Sequence, residues 1–127
     1  MKRLPLLLGL VVLAAAAAAC SSAAGGQPAS AGPVDPNAPV ISAQGNAFVP
    51  ATFTVKAGKA VTLTFNNKDG ARHNVAIYKD ASASEKISIG EIVSSSTASQ
   101  QVPALEKGQY FFRCDVHHEM TGTLVVE

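Results

Sequence analysis

The sequence predicts an all-β fold, a sandwich of two sheets built from short strands. Apolar and polar residues alternate over 52–55 and again over 60–65, which is the period of a half-buried strand. Turn-forming residues separate these stretches at the short, regular intervals typical of a β-sandwich. No segment shows a sustained helical period, so a helical or mixed fold is not expected.

The first strands follow from this alternation and from the turns that bound them. Residues 52–55 form the first strand that the pattern predicts, and Gly58 marks the turn after it. Residues 60–65 alternate again, with three large apolar side chains on one face. The next five residues, 66–70, read Asn-Asn-Lys-Asp-Gly, which is the composition of a turn.

The remaining strands are predicted in the same way. A polar stretch at 79–85 leaves room for a short helical turn between two of them. The strands expected in this part of the chain are 73–78, 87–93, 97–102, an aromatic strand from Gly108 to about Arg113, and 121–126.

The N-terminus has the features of an export signal. Lys2 and Arg3 precede an apolar run over 4–19 that is too short and wrongly flanked for a stable membrane span and ends in small residues. Residues 1–19 are therefore predicted to be a signal peptide. Cys20 follows directly and resembles the lipidation site of a bacterial lipoprotein. The alternative is ordinary cleavage after an Ala-x-Ala pattern, with Cys20 incidental or removed.

The rest of the chain divides by composition. Residues 20–39 are rich in Ser, Ala, Gly and Pro, which predicts a flexible linker carrying the lipid at its start. Residues 40–127 contain the predicted strands and suffice for one small folded domain. We therefore expect an exported protein in the periplasm or on the extracytoplasmic face of the cell membrane, held there through the lipid anchor only.

Charge and composition exclude several classes of function. Loss of Lys2 and Arg3 with the signal leaves 8 basic against 9 acidic residues. No basic patch remains to bind nucleic acid. No Ser/His/Asp set and no pair of carboxylates stands out, so the sequence does not predict an enzyme.

Soft metal ligands are concentrated near the C-terminus. Cys114, His117 and Met120 follow a Cys-x-x-His-x-x-Met spacing between two predicted strands, and His73 begins another strand. Two imidazoles, one thiolate and a weak thioether are the ligands of a blue-copper electron-transfer site. His118 is an alternative to His117, since either side chain can face a metal from this loop.

A bound metal also explains why an exported chain carries an unpaired thiol. If Cys20 is acylated, Cys114 has no cysteine left to pair with in an oxidising compartment. Asn74 is predicted to support the same site by hydrogen-bonding the main chain near Cys114. Its alternative role is simply to begin a strand.

At these residues the chain resembles the cupredoxins, specifically the plastocyanin/amicyanin-like small blue (type 1) copper proteins. The matching pieces are His73-Asn74-Val75, Tyr110-x-Phe112-x-Cys114-x-x-His117-x-x-Met120, and 122–126, with a weaker likeness over 40–127. The resemblance implies a cupredoxin-like Greek-key β-sandwich of about eight strands and one copper ion that alternates between Cu(I) and Cu(II). It further implies that His73, Cys114 and His117 are the strong equatorial ligands and Met120 the weak axial one. Family members often have proline where His118 stands, and the ligand loop is as short as that of amicyanin.

The function that these features predict is that of a one-electron carrier. We expect a monomer that exchanges electrons with redox partner proteins of the cell envelope. The alternative is copper storage or delivery, which usually requires exposed Met- and His-rich segments. A structural zinc site would leave Met120 as a poor ligand. A binuclear copper site would need a second cysteine beside Cys114.

Overall fold

The computed structural model describes residues 38–127, and this range contains strands, turns and bends but no helix. The strands, in chain order, are β1 (Val40–Gln44), β2 (Ala47–Val49), β3 (Thr52–Val55), β4 (Val61–Asn67), β5 (Ala76–Tyr78), β6 (Lys86–Ile89), β7 (Thr97–Val102), β8 (Gly108–Arg113) and β9 (Thr121–Val126). None of the described residues belongs to a helix that could cross a membrane. The predicted signal peptide, Cys20 and the linker as far as residue 37 lie outside the described residues.

The strands form two sheets that pack face to face. One sheet has four strands in the order β2-β1-β4-β7, and the other has five in the order β3-β9-β8-β5-β6. Two neighbouring pairs, β1 with β4 and β3 with β9, are parallel, and the other pairs are antiparallel. The predicted all-β sandwich is confirmed, with nine strands in the described range where about eight were expected.

Aromatic side chains from both sheets fill the space between them. The ring of Phe112 on β8 lies 5.1 Å from that of Phe48 on β2 and 5.4 Å from that of Phe53 on β3, measured between centroids. Phe48 in turn lies 6.3 Å from Phe65 on β4. Each buried Phe contributes roughly 1.5–3 kcal/mol of hydrophobic stabilisation. These contacts join the two sheets close to β8, the strand that ends one residue before Cys114.

β4 is longer than the alternation predicted. It continues through Asn66 and Asn67, which were expected to belong to a turn. The Asn67 side chain is buried, and its amide donates hydrogen bonds to the carbonyl oxygens of Ala71 (2.8 Å) and Val93 (2.6 Å). A polar residue can therefore end a strand in the interior here because its side chain is fully bonded.

Other boundaries are shorter than predicted. β5 starts at Ala76 rather than His73, and β6 ends at Ile89 rather than Val93. His73 and Val93 instead form an isolated bridge, each N–H donating to the other residue's carbonyl oxygen. The segment 79–85 contains no helix. It has one hydrogen-bonded turn, in which the Ala83 N–H donates to the Asp80 carbonyl oxygen at 3.1 Å, and is otherwise irregular.

The β1–β2 hairpin was not assigned to strands from the sequence. Its turn residues Gly45 and Asn46 have φ values of 62° and 56°. Positive φ at both central residues is typical of the tight hairpin turn that matches the twist of the strands, and both residue types tolerate it. The hairpin places this turn against Asp69, whose carboxylate accepts both main-chain N–H groups.

The predicted ligands lie at one end of the sandwich. β4 and β8 finish at this end, while β5 and β9 start there, as the pairings of Arg113 with Ala76 and Thr121 show. The described chain starts towards the other end, because Pro39 accepts a hydrogen bond from Thr64 and β1 runs from there alongside β4. The β4–β5 and β8–β9 connections at this end therefore determine where the predicted ligands lie.

Candidate metal centre

The loop between β8 and β9 carries the predicted ligands Cys114, His117 and Met120. The Cys114 N–H donates to the Met120 carbonyl oxygen at 2.9 Å, which continues the β8–β9 pairing by one step. The Met120 N–H donates to the His117 carbonyl oxygen at 3.0 Å. These two bonds fix the main chain at all three predicted ligands.

His73 reaches the same point from a different connection. It lies between β4 and β5, and its bridge with Val93 fixes its main chain. Its side chain is completely buried. The two segments meet because β5 is paired with β8, so their connections share one end of the same sheet.

Three donor atoms converge between these segments. Nδ1 of His73 lies 3.8 Å from Sγ of Cys114 and 3.1 Å from Nδ1 of His117, and the third distance, from Sγ to Nδ1 of His117, is 4.0 Å. Metal bonds of about 2.0–2.1 Å to His nitrogen and about 2.3 Å to Cys sulfur would let one ion contact all three atoms. The donor triangle therefore fits a single metal ion without rearrangement of the main chain.

The site is shielded from water on most sides. His73 and Cys114 are 0% exposed and Met120 is 2% exposed, whereas His117 is partly exposed. Burial protects a thiolate from oxidation, and it also makes an unpaired one costly. A metal ion that takes the charge of the thiolate removes this cost.

The two candidate histidines of the loop differ in their surroundings. His117 belongs to the donor cluster with His73 and Cys114. His118 is exposed, and its Nε2 lies 3.2 Å from the Asp115 carbonyl oxygen, outside that cluster. The geometry therefore favours His117 over His118 as a ligand.

Asn74 occupies the supporting position that the sequence predicted. Its Oδ1 accepts the N–H of Asp115 at 2.8 Å, and its Nδ2 donates to the Gly90 carbonyl oxygen at 3.2 Å. The prediction that Asn74 bonds the main chain beside Cys114 is confirmed. This buried amide links the segment of His73 directly to the segment of Cys114.

A second polar cluster beside Cys114 was missed from the sequence. The hydroxyl of buried Tyr78 donates to Oδ1 of Asp115 at 2.5 Å, and the Arg113 guanidinium lies over the Tyr78 ring, 5.1 Å from its centroid. Burial, and then the hydrogen bond to Asp115, raise the pKa of Tyr78 above its ordinary value. Arg113 and Asp115, the residues on either side of Cys114, therefore both contact Tyr78 of β5.

Asp69 also lies beside the candidate metal centre, and the sequence did not predict a role for it there. Its Oδ1 and Oδ2 accept the main-chain N–H groups of Gly45 and Asn46 at 2.9 and 3.1 Å. These bonds, the one from Gly45 first, hold the pKa of Asp69 below its ordinary value. Oδ2 also lies 3.3 Å from Nε2 of His73.

Comparison with known sequences places this fold and site in a family. Residues 9–126 match the sequence family described as the cupredoxin-like domain. The chain belongs to the cupredoxin-like family. This membership confirms the resemblance that was inferred from the ligand motifs. The donor set consists of two imidazoles, one thiolate and a buried thioether, which is the set of a site for one copper ion.

Individual cupredoxins align over more than half of the chain. Plastocyanin from Cucumis sativus is 36% identical over 88 residues, which cover 63% of this chain and 87% of the relative. Plastocyanin A/B from Petroselinum crispum is 36% identical over 77 residues, covering 58% of this chain and 77% of the relative. This cupredoxin is therefore similar to plastocyanins over most of their length.

Solved structures agree with the sequence comparison. Auracyanin A, a "blue" copper protein from Chloroflexus aurantiacus, superposes with a TM-score of 0.63 at 25% identity, covering 69% of this chain and 96% of that chain. Amicyanin from Paracoccus versutus superposes with a TM-score of 0.58 at 26% identity, covering 74% of this chain and 85% of that chain. The cupredoxin-like sandwich is thus the fold of this protein.

Proposed function

We propose that this cupredoxin is a one-electron carrier in which His73, Cys114 and His117 bind one copper ion strongly and Met120 binds it weakly. The observation that carries the proposal is the largely buried triangle of two imidazole nitrogens and one thiol sulfur, which lie within 4.8 Å of one another. Copper bound by such a set supplies a centre that gains and loses one electron. Similarity to plastocyanins and to a blue copper protein supports the same conclusion.

The residues around the site suit this task because they hold the donors in place. Two main-chain hydrogen bonds close the 114–120 loop, and Asn74 ties that loop to the segment of His73. A rigid donor set changes little between the two oxidation states, so little reorganisation accompanies each electron transfer. No general acid, base or nucleophile is needed, and the proposed activity is transfer rather than catalysis.

Electrons are proposed to enter and leave beside His117. Its ring is partly exposed, whereas His73 and Cys114 are buried. The apolar side chains of Val116, next to it in the loop, and Ile92, next to the residue that bridges His73, are 45% and 39% exposed. An apolar rim of this kind suits brief contacts with redox partner proteins.

We further propose that the protein works outside the cytoplasm on a lipid tether. The charged start, the apolar run and Cys20 support export and lipidation, with 20–39 as the linker and 40–127 as the working domain. Mass spectrometry of the mature N-terminus tests this part separately. A mature chain that begins anywhere other than at an acylated Cys20 would make the protein unanchored.

The visible spectrum of the copper-loaded protein tests the proposed function. Cu(II) bound to the Cys114 thiolate is expected to give an intense charge-transfer band that bleaches on reduction and returns on oxidation. Cys114→Ser should abolish the band. A colourless Cu(II) protein, or one that binds only zinc, would contradict the electron-carrier proposal, and reversible copper binding without redox cycling would favour storage or delivery.

A further inference from the structure

His73 has one ring nitrogen whose hydrogen bonding is incomplete. Its Nδ1 faces Cys114 and His117, so the ring proton belongs on Nε2 when Nδ1 binds a metal. Nε2 is fully buried, and no atom among residues 38–127 meets the geometry of a hydrogen bond with it. Oδ2 of Asp69 nevertheless lies 3.3 Å from Nε2. A small rotation of the imidazole would complete this bond.

Asp69 is itself held in place from several directions. Its carboxylate accepts the N–H groups of Gly45 and Asn46 in the β1–β2 turn. Its own N–H donates to Oδ1 of Asn67 at 2.9 Å, and its carbonyl oxygen accepts from the N–H of Ser95 at 2.9 Å. The acceptor is therefore fixed beside His73 before any metal binds.

The Asp69 carboxylate has a protected position rather than an open one. It is 20% exposed, and it lies against a histidine side chain that is 0% exposed. Water therefore screens this contact only partly, and the negative charge acts on the imidazole more strongly than a surface charge would. A carboxylate that accepts the free N–H of a metal-bound histidine orients the ring and raises its basicity.

We propose that Asp69 is a positioning residue for the copper site, which accepts the Nε2 proton of His73 and thereby couples the β1–β2 turn to the metal. The inference rests on the proposed copper-binding function. A neutral, well-oriented imidazole with a carboxylate behind it favours the more highly charged Cu(II) over Cu(I). Asp69 thus sets the balance between the two oxidation states without touching the metal.

The competing interpretation is that Asp69 only stabilises the turn at Gly45 and Asn46. The variant Asp69→Asn separates the two roles, because the amide keeps the shape and one acceptor oxygen but removes the charge. Asp80→Asn is the matched control. Asp80 is an exposed aspartate that also closes a loop, accepting the Ser82 N–H at 2.9 Å, but it contacts none of the proposed ligands.

Copper affinity and reduction potential are the readouts for the variants. For Asp69→Asn we expect the visible band to persist, the Cu(II) affinity to fall by about 10- to 100-fold, the Cu(I) affinity to fall less, and the potential to rise accordingly. Asp80→Asn should leave all three unchanged. The positioning role is overturned if Asp69→Asn matches Asp80→Asn in affinity and potential while its thermal midpoint falls.

A measurement on the unaltered protein avoids any dependence on how a variant folds. In the diamagnetic Cu(I) form, nitrogen-15 NMR should show the His73 proton on Nε2, exchanging slowly with water, and Asp69→Glu should largely retain this protection. Rapid exchange at Nε2 would overturn the proposal. Absence of the visible band in the unaltered protein would instead contradict the copper function itself, so the two failures are distinguishable.

Discussion

His117 and His118 are adjacent residues of the same type that occupy very different environments. Nδ1 of His117 lies 3.1 Å from Nδ1 of His73 and 4.0 Å from Sγ of Cys114. His118 is exposed, and its Nε2 lies 3.2 Å from the Asp115 carbonyl oxygen. Chemical identity is therefore insufficient to define the site. The position of each residue in the loop matters as well, and the hydrogen bond from the Met120 N–H to the His117 carbonyl oxygen fixes the main chain at His117.

Paired substitutions of these histidines test the ligand assignment. His117→Ala is expected to remove the intense visible band, because the donor triangle loses one of its corners. His118→Ala, the matched control, should leave the band within about 10% of its original intensity, since the ring lies outside the cluster. Absorption spectra of both proteins after Cu(II) loading provide the measurement. Loss of the band in His118→Ala alone would shift the ligand assignment by one residue.

Met120 is expected to tune the site rather than to hold it. Met120→Leu keeps the volume and the burial of the side chain but removes the thioether, a weak donor that favours Cu(II). We expect copper to be retained and the reduction potential to rise. A tenfold change in the Cu(II)/Cu(I) affinity ratio corresponds to about 59 mV for one electron. Cyclic voltammetry checks this, and an unchanged potential would exclude Met120 as a ligand.

Sequence reasoning found the donors but not all of their supports. Cys114, His117 and Met120 lie within one short loop, so their spacing alone predicted a shared site. Asn74 could be predicted because it is adjacent to His73. Asp69 could not be assigned a role, because its hydrogen-bond partners lie 23 and 24 residues away in a hairpin turn that only the folded chain brings near.

Gly122, in β9, shows how a strand accommodates the core beneath the ligand loop. A Cβ at this position would lie 2.1 Å from Cζ of Phe112 and 2.6 Å from the Ala51 carbonyl oxygen. Phe112 cannot move aside freely, because it is fully buried against Phe48 and Phe53. The close approach of β9 to this ring therefore requires a residue without a side chain.

Gly122→Ala is accordingly expected to destabilise the domain. Overpacking of this kind costs about 1–3 kcal/mol in free energy of unfolding. Gly70→Ala is the control, since a Cβ there would meet nothing within 4 Å. Urea denaturation of the metal-free proteins measures both changes. Equal denaturation midpoints for the two variants would show that the core repacks around position 122.

The strands themselves were predictable to different degrees. β3, β7 and β9 match their predicted bounds, although only β3 alternates clearly in sequence. β1 and β2 were missed because β2 has only 3 residues and their turn reads Gly-Asn, a weaker hairpin signal than Asn-Gly. β4 was underestimated because the bonds that bury Asn67 come from residues 71 and 93, which local composition does not reveal.

The described domain has two unlike ends, and His117, the partly exposed residue among the proposed ligands, lies at one of them. After loss of the predicted signal the formal charge is close to zero, with 8 basic and 9 acidic residues, so long-range steering of partners should be modest. Contact with a redox partner is then expected to depend on the apolar side chains around His117. Val116 is the most direct test, because it is exposed and adjacent to that histidine.

Val116→Asp is expected to slow electron transfer to the physiological partner by about tenfold, the effect of losing roughly 1.4 kcal/mol of encounter stability. Val40→Asp is the matched control, because Val40 is also an exposed valine (53% against 45% for Val116) and lies in β1, away from the ligand loop. Neither change should alter the visible spectrum. Stopped-flow kinetics over a range of salt concentrations measure the rates. A steep salt dependence in the unaltered protein would indicate that a charged patch controls docking instead.

The position of the first described residues has a practical consequence for immobilising this protein on a surface. Pro39 lines the same cleft as Lys56 and Val61, at the far end of the sandwich from Cys114 and His117. A surface attached close to Pro39 would face this far end of the sandwich and leave the end that carries His117 pointing outwards. Attachment through Glu127 would give the same orientation, because β9 runs away from the ligand end and the Glu127 carbonyl oxygen accepts a hydrogen bond from the Ala57 N–H at the far end.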